Sequence, residues 1–150
     1  MESIGLFRKL VFCTGEDAFT EALAATLKLS PILRSEFLWR LGLQDDGVTI
    51  ETQPRNYPEE GRPDLQISSR TCLILCEVKV GARLEADQLR RYKEILAKHT
   101  QPTSTRLVAI IAPSTPVEGG VSAGLPDSNV WHWSDIFVMV KKAQAEEADR

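Results

Sequence analysis

The chain has 150 residues, 43% of them hydrophobic, and a formal net charge of -3. That length suits one domain able to bury a two-layer core, and the composition is that of an ordinary globular protein. The charge does not advertise nucleic-acid binding but does not exclude it, because a metal-dependent site concentrates carboxylates and phosphate contact needs only a local basic patch. No apolar stretch approaches the roughly 20 residues that span a bilayer. The opening MESIGLFRKLVF lacks a basic start followed by a long apolar core, so no signal peptide and no membrane association are expected, and the cytoplasm is the expected compartment.

Taken in order, the residues from Glu16 to about Leu29 have helical spacing, with Phe19, Leu23 and Leu27 on one stripe and Thr14 placed to cap the start. Ser30-Pro31 interrupts, and ILRSEFLWRLGL reads as a second helix closing at Gly42. After the turn Asp45-Asp46-Gly47, three strands are expected at Val48–Gln53, Asp64–Ser68 and Thr71–Val80, the last two joined by a tight turn at Ser69-Arg70. A long amphipathic helix is expected over Leu84–His99, carrying Leu89, Tyr92 and Leu96 inward. Thr105–Ala112 is an uninterrupted apolar run, as in a central strand covered on both faces. A Pro/Gly/Ser loop follows, then a short strand over Val130–Trp133, a last helix capped by Ser134, and a polar tail or linker over residues 143–150. The reading is a single α/β domain over residues 1–150: a small mixed sheet flanked by helices.

The cysteines show no metal-ligand spacing. Cys72 and Cys76 on one extended strand would lie roughly 13 Å apart, beyond disulfide reach. His99 and His132 are too few and too scattered for a zinc site.

The informative stretch is GRPDLQISSRTCLILCEVKVG, Gly61 to Gly81. A strand apolar enough to be buried ends in Glu77-Val78-Lys79. Alternate strand residues share a face, so Glu77 and Lys79 point the same way, about 6.6 Å apart. If the two strands pair through Ser69-Arg70, Asp64 meets Glu77 or Lys79. Burying these charges unpaired would cost several kcal/mol each. A divalent cation between the carboxylates removes that penalty, and magnesium suits such a site because it takes one or two carboxylates and completes its shell with water and substrate phosphate.

Pro63-Asp64, twelve intervening residues and Glu77-Val78-Lys79 resemble the motif of the PD-(D/E)xK nuclease superfamily. Gln88-Leu89-Arg90-Arg91-Tyr92 on the following helix is similar to the Gln-x-x-x-Tyr motif of its RecB-like branch. The resemblance covers about Glu16 to Val140. It implies a restriction-endonuclease-like αβββαβ core and a magnesium-dependent nuclease, with manganese as a substitute. The enzyme would hydrolyse phosphodiester bonds, in DNA rather than RNA, in defence or repair. By the same resemblance Asp64, Glu77 and the Val78 carbonyl would hold the metal. Lys79 would orient or deprotonate the attacking water. Glu21, the best match to the acidic residue of the N-terminal helix, would support a metal-bound water or a second metal. Gln88 would brace Lys79 or the phosphate, and Tyr92 would pack under the site or meet substrate.

Arg83 and Arg91, within a basic stretch with Arg90 and Lys93, either bind the phosphate backbone or form a solvated helix face. Trp131 and Trp133, on one strand face, either stack bases or pack the core. Specificity in so small a chain would come from a homodimer or a larger complex. The competing reading is a non-catalytic module of the same fold that binds nucleic acid or protein.

Overall fold

The computed structural model describes residues 15–58, 61–99, 101, 104–112, 115–117 and 124–150; the cap expected at Thr14 lies outside them. The described elements are α1 (Glu16–Leu29), α2 (Pro31–Arg40), β1 (Thr49–Thr52), β2 (Leu65–Ser68), β3 (Cys72–Lys79), α3 (Ala86–Lys98), β4 (Ser104–Ile111), β5 (Val130–His132) and α4 (Trp133–Ala148). The five strands form one open mixed sheet in the order β1-β2-β3-β4-β5. The β1–β2 and β2–β3 pairs are antiparallel, and β3–β4 and β4–β5 are parallel. No helix among the described residues is long and apolar enough to cross a membrane.

The apolar run of β3 follows from its central place. Cys72, Ile74, Cys76 and Val78 face a core built with Leu27 of α1, Phe37 of α2 and Met139 of α4. Leu73 and Leu75 face a second core under Leu89, Tyr92 and Leu96 of α3. A strand covered on both faces needs apolar residues at every position rather than every second one. Seven of its eight residues are buried; Lys79, the last, is half-buried. The break between α1 and α2 also has a local cause: Ser30 Oγ accepts the N–H of Leu33, and Pro31 opens the helix where no N–H is needed. Gly42, at φ 74°, closes α2 in the left-handed region, with Leu43 N–H donating to the Leu38 carbonyl.

Four expectations change. The chain over 143–150 is not a polar tail: α4 continues to Ala148, Ala143 is buried, and Ser30 Oγ donates to Glu147 Oε1 at 2.5 Å. The helix starts at Trp133 and not after a Ser134 cap, because His132 and Asp135 bond each other's backbone N–H reciprocally. Trp131 and Trp133 therefore do not share a strand face. Trp131 is buried edge-on to Phe37, whereas Trp133 packs on Phe19. The helix expected from Leu84 begins at Ala86, since Leu84 is drawn into a bridge with Val117.

The buried Ala143 gives a direct check. Ala143→Asp places a charge in the α2–α4 seam and should lower unfolding free energy by at least about 2 kcal/mol, measured by urea denaturation; an exposed tail would tolerate it.

Candidate active site

Strand register assembles the site. In the β2–β3 hairpin Leu65 pairs with Cys76, so one further step sets Asp64 across from Glu77. Leu65 and Ile67 point into the first core, which turns Asp64 to the opposite, α3 side. Glu77 and Lys79 continue the Leu73–Leu75 face and point the same way. Two carboxylates and an ammonium thus meet where β3 runs out beneath α3.

Glu77 is 1% exposed. Its Oε1 lies 2.8 Å from Lys79 Nζ, and its Oε2 lies 2.7 Å from the Tyr92 hydroxyl. Asp64 Oδ2 accepts the Val78 N–H at 2.7 Å, and Oδ1 accepts the Gln53 amide at 3.0 Å. Burial, then the charge of Asp64, pushes the Glu77 carboxyl up to about 7, with Lys79 pulling the other way. Burial also raises Asp64, against the Val78 N–H and the Gln53 amide. Burial opposes the Lys79 charge, but Glu77, Glu16 and Asp64 together outweigh it and hold the ammonium above its ordinary range.

The hydroxyl of Tyr92 explains how a neutral Glu77 is accommodated. Its oxygen also lies 3.0 Å from the Arg62 carbonyl and accepts an N–H from Gln88 Nε2 at 3.2 Å. One phenolic proton cannot serve both Glu77 and Arg62. With Glu77 protonated, Glu77 donates to Tyr92 and Tyr92 donates to Arg62, so every group is satisfied. With Glu77 ionised, Tyr92 turns its proton to the carboxylate.

The residues singled out from the sequence fall into two groups. Asp64, Glu77 and Lys79 converge, and Gln88 reaches the cluster through Tyr92 rather than by touching Lys79. Glu21 does not join them. It lines a groove with Lys28, Arg34 and Thr52. Glu16, five residues earlier and so about 140° round the helix, takes the place near Lys79. Its Oε2 is 3.7 Å from Nζ, and its Oε1 accepts the N–H groups of Val80, Gly81 and Ala82 at 2.9, 3.3 and 2.9 Å. These bonds and Lys79 hold the Glu16 carboxyl below its usual range despite burial. Arg83 is exposed in the loop between β3 and α3. Arg91 is engaged with Asp87 at 2.7 Å, as is Arg90 at 2.6 Å, so α3 matches much of its basic stretch with its own acids.

Gln53 was not legible as a site residue. Its backbone sits at φ 44°, a left-handed conformation uncommon for a residue with a side chain. There its N–H donates to the Asp64 carbonyl at 3.0 Å while its side chain donates to the Asp64 carboxylate. The strained residue therefore grips Asp64 twice.

Among the described residues no group of three His, Cys, Asp or Glu is arranged to hold a metal ion. The donor set on offer is two carboxylates and the Val78 carbonyl. Each carboxylate oxygen of Asp64 and Glu77 has one partner described above and a second lone pair to give. Burial raises the proton affinity of both carboxylates, and the charge of Asp64 raises that of Glu77 further, the condition that a divalent cation relieves. The residues fit such an ion, with water and substrate completing its shell.

Comparison with protein-family models gives no match, and no curated protein is significantly similar to the chain.

The raised Glu77 carboxyl sets a pH dependence. Its folded value near 7 exceeds the ordinary 4.5, so its contribution to stability is complete below about 4.5 and is lost as pH rises through about 7. Without metal, denaturation between pH 5 and 7 should show stability falling by up to about 1.4 kcal/mol per pH unit, and Glu77→Gln should flatten that slope. Tyr92→Phe should raise the Glu77 carboxyl further, since the hydroxyl bond lowers it, and should cost about 1–3 kcal/mol by leaving the Arg62 carbonyl unpaired. Carboxyl carbon NMR and urea denaturation read the two effects separately.

Proposed function

We propose that the chain is a metal-dependent nuclease of the PD-(D/E)xK superfamily, with a restriction-endonuclease-like core, that hydrolyses phosphodiester bonds in DNA. The observation that carries this reading is the buried Glu77, 2.8 Å from Lys79 and across the hairpin from Asp64. A purely structural ion pair would need one acid and one base; here a second, half-buried carboxylate is kept beside the first.

Asp64, Glu77 and the Val78 carbonyl would hold a magnesium or manganese ion, which when bound polarises the phosphate and lowers the pKa of a bound water. The protein's own groups do the rest. Lys79, held protonated by its neighbours, is a hydrogen-bond donor that orients the attacking water and meets charge developing on the phosphoryl oxygens. Water adds to phosphorus, the ester P–O bond breaks, and the proton lost by the water ends on the departing alkoxide. Gln53 fixes Asp64, Tyr92 fixes Glu77, and Gln88 fixes Tyr92. Glu16 secures the three amides after Lys79 and so the direction in which its side chain leaves the strand.

Cleavage of linear, circular, single-stranded and branched DNA with magnesium or manganese tests the reading. Lys79→Ala should lower the rate about 10²–10³-fold while oligonucleotide affinity changes little, because one charge among several is lost. DNA binding with steep salt dependence and no cleavage of any substrate would replace the nuclease with a binding module of the same fold.

Metal uptake should be linked to protons. Because Glu77 is largely protonated below its value of about 7, magnesium must displace that proton. Magnesium should raise Tm more at pH 8 than at pH 6, and calorimetry in buffers of different ionisation heat should register proton release near pH 6.

A further inference from the structure

The polar end of β3 is rich in negative charge. Asp64, Glu77 and Glu16 lie there, with Asp17 felt at Asp64. Lys79 is shared between Glu77 and Glu16, and Arg90 and Arg91 are held by Asp87. A polyanion approaching this end needs a cation that is not already spent.

Arg62 meets that need. It is half-buried in the segment that enters β2, two residues before Asp64, or about 7 Å of extended backbone. Its carbonyl is tied to the Tyr92 hydroxyl, which touches Glu77, so its main chain is fixed to the site. Yet its Nε–H is shut off from solvent and has no hydrogen-bond partner among the described residues. Buried guanidinium donors are ordinarily paired, and an orphan calls for a partner that arrives from outside. The Tyr92 bond does not call for arginine, because a backbone carbonyl would make it with any side chain.

We infer that Arg62 is a substrate-binding residue, whose Nε–H and adjacent terminal N–H receive an oxyanion: the non-bridging oxygens of a phosphodiester next to the one that is cut. The planar fork of donors matches that geometry, and a lysine ammonium does not. The identity of the anion rests on the nuclease reading; the existence of an anion site at Arg62 does not.

The test watches the Arg62 Nε–Hε cross-peak in ¹⁵N-labelled wild-type protein, assigned by its loss in Arg62→Lys. Three probes are titrated: inorganic phosphate, a short deoxyoligonucleotide, and the same oligonucleotide with uncharged methylphosphonate linkages. The peak should move with the phosphodiester oligonucleotide and stay with the methylphosphonate. In calcium, Arg62→Gln should weaken oligonucleotide binding about tenfold and reduce the slope of log affinity against log salt by about 0.7 for single strands. A peak unmoved by phosphate and by the oligonucleotide overturns the inference. So does a variant as tight and as salt-dependent as wild type, even if the protein cleaves DNA. A peak that moves with phosphate in a protein that cleaves nothing keeps the anion site and removes the nuclease.

Discussion

The burial of Glu77 beside Asp64 is the constraint to which the surrounding structure answers. A carboxylate that deep, with a second one across the hairpin, is unfavourable in isolation. Lys79 lies against it, Tyr92 can take or give a proton at its other oxygen, and the Val78 N–H and Gln53 draw charge from Asp64. Helix α1 is docked by Glu16 to the amides that follow Lys79, and α3 is docked through Gln88 and Tyr92. Two helices and two strands are therefore fastened to one point by polar bonds, in addition to the apolar cores that join them. A surface pair on an edge strand would make no such demands.

How much of this was legible depended on whether the cause was local. The β3 run announced a strand buried on both sides, and the hairpin spacing brought Asp64 level with Glu77, because period two and a tight turn leave few registers. Glu16 and Glu21 both sit on α1, and propensity gives no reason to prefer one. Which of them meets Lys79 is set by how the helix rolls onto the sheet, a tertiary fact. Gln53 is a residue type with no particular liking for a left-handed backbone, so nothing marked it. Ala143 shows the opposite case: Ile136, Met139 and Ala143 keep helical spacing, but the charged residues between and after them made the segment read as a tail.

The mixed sheet divides the labour. Its antiparallel half, β1–β2–β3, supplies Gln53, Asp64, Glu77 and Lys79 from chain segments close in sequence. Its parallel half needs the α3 crossover, and that crossover brings Gln88 and Tyr92 over the same strand end. The position of the site at the carboxyl end of β3 follows from this join, since that is where the crossover loop leaves the sheet.

Cys76 turns this arrangement into a reporter. It precedes Glu77, is fully buried on the other face of β3, and has its thiol pushed up to about 12 by burial, with the two carboxylates adding to the effect. A thiol so protonated is nearly inert towards alkylating reagents, and it points into the core under α1, α2 and α4 with no exposed surface. Its rate of modification therefore measures how often that helical layer lifts from the sheet. Its silence attests that the core behind the two carboxylates is still closed.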